Sequence, residues 1–462
     1  MKTGDQYRES LRDGRSLFIE GERVEDPATH PLLKTAVDNC AANYDLYYTP
    51  DHGAYNPAYI IPRSREEAEE RLKKMRGPAE ITATTSATCV LALGSAGPEL
   101  AKARPEYRTR IYDFIDYVRK NDLRCAETVT DAKGNRKRRP LEQDDPDMYL
   151  RVVDRNADGI FVTGCKMHIT VAAIVHELVV FPTKAMRKGE EAYAVSFSIP
   201  VNSPGVSIIN TSYAPHDPDT RHFPVSSKTN SPEGFIVFDR AFVPNERIFL
   251  DGEVEHASDL AYALGLWERT GGGGIYASDG EDRMVGLAAL AAEAAGAADE
   301  PGIHDKLSTL MMFATMNKAG HDAAWSNAVQ NEDGNLMPST LYISATKYYH
   351  AEFNDRMVDI LHDIAGALVA NAPSMADYDN PKLRGILDAL LATPKFSAED
   401  RLKLYHFIRD TTADAYGGWS SVTGKQAGGG LFAQRLVTIR NYDLEHAKAL
   451  ARRAVGMAEP AG

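Results

Sequence analysis

The sequence predicts an α+β chain in three consecutive parts: an N-terminal helical domain (1–145), a central β domain (146–250) and a C-terminal helical bundle (251–462). Two observations carry this. From Met148 to about Leu250, short runs rich in β-branched and aromatic residues alternate with Gly, Pro, Asn and Asp punctuation. On either side, apolar residues recur at helical spacing over long stretches. At 462 residues the chain is long enough to bury a large core in two or three packing units.

In the first part the periodicity predicts helices over 31–47 and 99–118, with a charged, solvated helix over 63–75 between them. The tract 128–140 is polar, carries turn chemistry at Lys133-Gly134-Asn135, and runs through Arg136, Lys137, Arg138 and Arg139 into Pro140. It reads as a loop with a basic end. Strands are expected over 149–153, 159–162, 178–181, 192–199 and 234–238, and helices over 284–298, 303–330, 338–370, 398–415 and 443–457.

Composition narrows the function classes. The chain is 43% hydrophobic and 25% charged, with no apolar run near the roughly 20 residues a membrane helix needs. Its net charge of −13 opposes binding to polyphosphate backbones, so neither a nucleic acid nor a membrane is an expected partner. Cys40, Cys89, Cys125 and Cys165 lie far apart with no C-x-x-C spacing, and Met1-Lys2-Thr3-Gly4-Asp5 does not open a charged-then-apolar leader. The expectation is a cytoplasmic protein that acts on a small molecule.

Several segments carry possible chemistry. The glycine clusters Gly271 to Gly274 and Gly428 to Gly430 lack nucleotide-cradle spacing and mark a bend or a close backbone approach. His168, Thr170, His176 and Glu177 share one segment without the H-E-x-x-H spacing of a zinc site, and no metal is expected. Cys89 follows a hydroxyl-rich run, Thr84-Thr85-Ser86-Ala87-Thr88, and is either a polar-pocket thiol or a small buried one. The loop bearing Glu127, Thr128, Thr130, Asp131 and Arg136 lies at a domain junction, where it either lines a ligand pocket or is plainly solvated. Trp267 and Tyr276 flank the first glycine run and either wall off a substrate or pack.

The order helical, β, helical, together with particular strings, resembles the 4-hydroxyphenylacetate 3-hydroxylase and 4-hydroxybutyryl-CoA dehydratase family, whose fold is acyl-CoA dehydrogenase-like. The strings are Tyr7-Arg8-Glu9-Ser10-Leu11, Gly21-Glu22-Arg23-Val24-Glu25-Asp26 with His30-Pro31, Asp145-Pro146-Asp147, Asp158-Gly159-Ile160, Val237-Phe238-Asp239 with Val243-Pro244-Asn245, Asp363-Ile364-Ala365-Gly366 with Pro373-Ser374, and Ala433-Gln434-Arg435. Each is short, but they are collinear over nearly the whole chain.

The resemblance implies FAD, delivered as FADH2 by a separate flavin reductase, held between the β domain and the C-terminal helices of a homodimer or homotetramer. It places His168, Thr170, Thr130, Asp131, Arg136, Gly366, Pro373 and Ser374 beside the flavin. It places Thr85, Cys89, Glu127 and Trp267 beside the substrate.

Departures from the family pattern shape the functional expectation. The dehydratase branch holds an iron-sulfur cluster through three cysteines and a histidine. Here Cys89 matches one of them, Thr85 replaces its partner, and the segment around Leu266-Trp267-Glu268-Arg269-Thr270 supplies neither remaining ligand type. Thr423 stands where that branch has a glutamate acid/base. The hydroxylase branch's substrate-side arginine, tyrosine and histidine fall at Thr85, Cys89 and near Glu127. The leading expectation is an FADH2-dependent two-component monooxygenase that hydroxylates a small substrate, aromatic among the options. The alternative is an iron-free flavin-dependent lyase or isomerase acting on an acyl-CoA, and a third reading is a flavin-free assembly protein.

Overall fold

The computed structural model describes residues 1–51, 53–75, 81–217, 219–271 and 276–457. The Tyr276 side chain and Gly272, Gly273 and Gly274, singled out above, lie outside the described residues.

The helix Pro31–Tyr47 opens where the His30 ring accepts a hydrogen bond from the Leu32 N–H (3.3 Å), with Pro31 in the first helical position. The single helix expected over 99–118 is instead two, Ile81–Ala103 and Pro105–Asn121. Arg104 is extended (φ −142°, ψ 116°), as the residue before a proline favours. In the first of the pair the hydroxyls bond back to carbonyls one turn earlier, Ser86 Oγ to Thr82 O (2.6 Å) and Thr88 Oγ1 to Thr84 O (3.1 Å). The hydroxyl-rich run Thr84 to Thr88 is thereby accommodated in a buried helix.

Two sheets form the centre. One has six strands in the order Glu22–Arg23, Ser16–Ile19, Val206–Thr211, Glu233–Pro244, Gly159–Thr170, Arg151–Arg155. The other has four, in the order Ile248–Asp251, Val195–Pro200, Glu177–Val180, Cys125–Thr128. Their apolar faces share one core, in which Phe197 of the second sheet meets Phe238 of the first edge to face, ring centres 6.1 Å apart. Three of these strands come from before residue 146, so that boundary divides the chain but not the sheets. Ser16–Ile19 pairs parallel with Val206–Thr211, and Cys125–Thr128 pairs parallel with Glu177–Val180.

The C-terminal part is helical from Ala257–Thr270 through Tyr276–Ala294, Pro301–Ser326 and Thr340–Ala365 to Ala398–Thr412, Ala415–Gln426, Leu431–Asn441 and Leu444–Val455. The stretch expected as one helix over 338–370 breaks at Gly366, whose φ of +71° lies in the left-handed region that favours glycine. Along Thr340–Ala365 the buried stripe Ile343, Met357, Leu361 and Ile364 is interrupted in the middle by Lys347, His350 and Asn354 at the same helical spacing. Among the described residues no helix is long and apolar enough to cross a membrane.

Candidate active site

A cavity of about 580 Å³ lies where the ends of strands Gly159–Thr170 and Cys125–Thr128 meet the helices Ile81–Ala103, Ala257–Thr270, Tyr276–Ala294, Thr340–Ala365 and Ala415–Gln426. Its size is that of a small-molecule pocket.

The strand side is shaped by a bulge. Pairing between Gly159–Thr170 and Glu233–Pro244 shifts register between Lys166 and Ile169, and His168 within that shift has φ +59°. A side chain held in the left-handed region costs about 1–3 kcal/mol and re-aims the chain locally. The result is that His168 and Thr170 both line the cavity. Burial, together with Lys133 and Arg136, holds the His168 imidazole below its ordinary pKa, so it is a neutral ring at pH 7.

Thr170 Oγ1 donates to Glu233 Oε1 (2.9 Å), and Trp419 Nε1 donates to the same oxygen (3.0 Å). Trp419 stacks on Tyr213 with ring centres 4.7 Å apart. Burial pushes the Glu233 carboxyl from 4.5 up to about 7. The folded chain thus holds this proton more tightly than the unfolded one, and the contribution to stability falls as pH rises from 4.5 through 7. Glu233→Gln is expected to remove that fall and to stabilise the flavin-free protein at pH 8 by roughly 3 kcal/mol. Denaturant midpoints at pH 5 and pH 8 check this, and equal gains at both pH values would contradict it.

Ile81, Thr84, Thr85 and Thr88 form the opposite wall, spaced to share one face of their helix. Thr85 Oγ1 donates to the Cys125 carbonyl (2.8 Å) and the Cys125 N–H donates to Ser86 Oγ (2.7 Å), fixing strand Cys125–Thr128 against that helix. The strand then delivers Glu127 into the cavity, where its carboxyl is hydrogen-bonded to that of Glu268. Burial raises both. Glu268 is opposed by Arg269, Lys347 and the Gly428 N–H (3.1 Å), whereas among the described residues Glu127 has only the Thr88 hydroxyl to offset the Glu268 charge. Glu268 therefore carries the charge and Glu127 the shared proton.

Gly428 (φ +72°) brings its backbone against Arg269: its carbonyl accepts from Arg269 Nε (2.9 Å), and an added Cβ would stand 2.8 Å from Arg269 Cγ. The second glycine cluster thus holds the Glu268-Arg269 pair in place. Lys347 Nζ donates to the Gly424 carbonyl, and burial lowers its pKa to about 8.

Of the twelve residues that the family resemblance places beside flavin or substrate, Thr85, Glu127, His168 and Thr170 line this cavity together and the other eight do not; Thr84, Thr88, Gly271 and Thr423, also named in the sequence, line it as well. Cys89 is fully buried one position further round its helix, and burial raises its thiol pKa. Trp267 packs in the core 6.2 Å from Trp325, its Nε1 donating to Ser95 Oγ (2.8 Å). Asp131 is buried with Lys166 (2.9 Å) and accepts from the Leu150 N–H (3.0 Å). The Thr130 carbonyl accepts from the Met167 N–H (2.6 Å), so this pair braces the loop. Arg136 is exposed on that loop, within electrostatic range of His168. Gly366 ends a helix, the Pro373 carbonyl accepts from His406 Nε2 (3.1 Å), and Ser374 caps the helix Met375–Asp379.

The cavity residues to which sequence reasoning gave no role are Glu268, Lys347, Glu281, His350 and Trp419. Glu268 is adjacent to Trp267, about 100° round the helix, so the tryptophan packs while the glutamate faces the cavity. The polar break in the apolar stripe of Thr340–Ala365 was the available signal for Lys347 and His350.

Comparison with known proteins identifies the class. Residues 3–250 match the N-terminal model, and residues 257–456 the C-terminal model, of 4-hydroxyphenylacetate 3-hydroxylase. The chain belongs to the 4-hydroxyphenylacetate 3-hydroxylase family. It is 27% identical to 4-hydroxybutyryl-CoA dehydratase/vinylacetyl-CoA-Delta-isomerase of Clostridium aminobutyricum, over 99% of this chain and 100% of that one. It is 26% identical to the oxygenase component of 4-hydroxyphenylacetate 3-monooxygenase of Thermus thermophilus, over 90% and 89%. The crystal structure of such an oxygenase component complexed with FAD superposes with a TM-score of 0.89 at 24% identity, covering 98% of each chain. The α+β architecture expected from the sequence is the fold of that structure.

Proposed function

We propose that this protein is the oxygenase of a two-component monooxygenase, which takes FADH2 from a separate flavin reductase and hydroxylates a small aromatic substrate. The observation that carries the reading is the division of the cavity. One wall is a bulged strand end presenting His168 and Thr170 beside the Trp419 ring, and the other is a threonine-lined wall ending in the proton-sharing pair Glu127 and Glu268. The first suits a flat heteroaromatic ring with polar edges, and the second suits a small polar substrate.

FAD fits the residues present. Thr170, His168 and Trp419 would hold the ring system, and the basic loop with Lys133 and Arg136 stands beside His168. When bound and reduced, the flavin supplies the activation of oxygen. The chain's own work is to bind and orient the substrate, to exclude water, and to control one proton at the Glu127 carboxyl. Thr85 and Thr88 orient that carboxyl's neighbourhood, and Glu268 keeps it protonated. A homodimer or homotetramer in the cytoplasm belongs to the same proposal.

The dehydratase's cluster does not fit. Thr85 and Cys89 occupy two of the positions at which that branch has cysteines, Cys89 is buried away from the cavity, and among the described residues no group of three or more His, Cys, Asp or Glu is placed to hold a metal ion. The identity to the dehydratase over the full chain favours, as a second reading, an iron-free lyase or isomerase acting on an acyl-CoA.

Oxygen separates the two. Incubation with an FADH2-generating reductase, labelled dioxygen and a panel of small phenols should give a product carrying one labelled oxygen atom. Conversion of an acyl-CoA at equal rates with and without oxygen would support the second reading instead.

A further inference from the structure

A second titratable pair lines the cavity. Glu281, on Tyr276–Ala294, and His350, on Thr340–Ala365, both line it, with Glu281 Oε1 2.7 Å from His350 Nδ1. Ion pairs elsewhere between these bundle helices lie at the surface; Lys318 and Asp282, for example, have side chains 44% and 55% exposed. His350 and Glu281 are 11% and 5% exposed. A purely structural clamp at that depth is expected to satisfy its remaining polar atoms. Here, among the described residues, Glu281 Oε2 is buried with no partner and none hydrogen-bonds His350 Nε2. His350 also lies one helical turn from Lys347, the group beside Glu268, so the pair looks onto the same space as the Glu127 carboxyl.

We propose that Glu281 and His350 form a carboxylate–imidazole dyad that ionises the acidic hydroxyl of an aromatic substrate in this cavity, with His350 Nε2 as the base and Glu281 as a positioning residue. This rests on the small-phenol reading above and names its base. A neutral imidazole that gives its Nδ1 proton to Glu281 presents a lone pair at Nε2. The substrate O–H bond breaks, the proton forms Nε2–H, and the bonding pair stays on oxygen as the phenolate. The imidazolium so formed is held beside the Glu281 carboxylate, the arrangement by which a buried acid orients and charges a catalytic histidine.

The test uses flavin-free protein and 4-nitrophenol, whose phenolate has its own visible absorption, at a pH where the free probe is mostly protonated. Binding is followed separately by equilibrium dialysis. The expected result is that the probe binds and that its phenolate-to-phenol ratio on the protein rises about tenfold over solution, one pKa unit. His350→Asn should bind the probe without raising that ratio. Glu281→Gln, which keeps a hydrogen-bond acceptor but not the charge, should lose most of the rise even if the histidine variant does not fold. Binding without ionisation in the wild type, or full ionisation in both variants, would overturn the dyad. Failure of the wild type to bind the probe would instead overturn the phenol reading on which it rests.

Discussion

Glu127→Gln is expected to lower turnover by about a hundredfold, the scale of losing a positioned proton-transfer group, while affinity for FADH2 stays within about twofold. The reasoning follows from the carboxyl pair. Glu127 holds its proton at neutral pH because burial and the neighbouring Glu268 charge both disfavour its anion. Glutamine keeps the shape and the hydrogen bond to Glu268 but cannot exchange that proton. In the wild type, turnover should fall on the alkaline side, as pH rises through the raised pKa and the protonated form is lost; in the variant this limb should flatten. Steady-state rates across pH, with flavin affinity measured in parallel, check both statements. An unchanged rate would remove Glu127 from the chemistry.

Asp131→Ala is expected to destabilise the fold by about 3–5 kcal/mol, because it leaves Lys166 as a buried, unpaired cation. Lys166 and Asp131 are each 2% exposed, and Lys166 also donates to the Val129 (2.7 Å) and Phe181 (3.0 Å) carbonyls. Replacing both partners with apolar residues, Asp131→Leu with Lys166→Met, should recover most of that loss, since the penalty lies in the unmatched charge rather than the missing pair. Urea midpoints at unchanged slope measure it. If Asp131→Ala kept its stability and lost flavin affinity instead, Asp131 would be a cofactor contact, as the family resemblance implies, and not a brace for the loop.

The contrast between these two residues shows what the sequence makes legible. The central strands and long helices stand out because their hydrophobic periods of 2 and 3.6 are strong. The helix Ile81–Ala103 is hidden because its hydroxyls satisfy themselves along the backbone, so its first turns carry no apolar rhythm. The strands Ser16–Ile19 and Cys125–Thr128 are four residues each and acquire partners far away in the chain, which no local pattern reports.

At the site, Thr85, Glu127, His168 and Thr170 were within reach of sequence reasoning, but their partners were not. Glu268 lies 141 positions from Glu127 in the numbering and meets it only because a strand end and a helix end converge. Conversely, Trp267 and Cys89 carry the chemistry-rich side chains of their segments, yet helix geometry turns both into the core.

The most direct test of the central claim is an anaerobic titration of the purified protein with FADH2 and, separately, with oxidised FAD. The account predicts that the reduced form binds at least about tenfold more tightly, a difference of roughly 1.4 kcal/mol, and that oxygen is consumed once it is admitted to the reduced complex. Tighter binding of oxidised FAD, retained through dialysis and inert to oxygen after reduction, would contradict it.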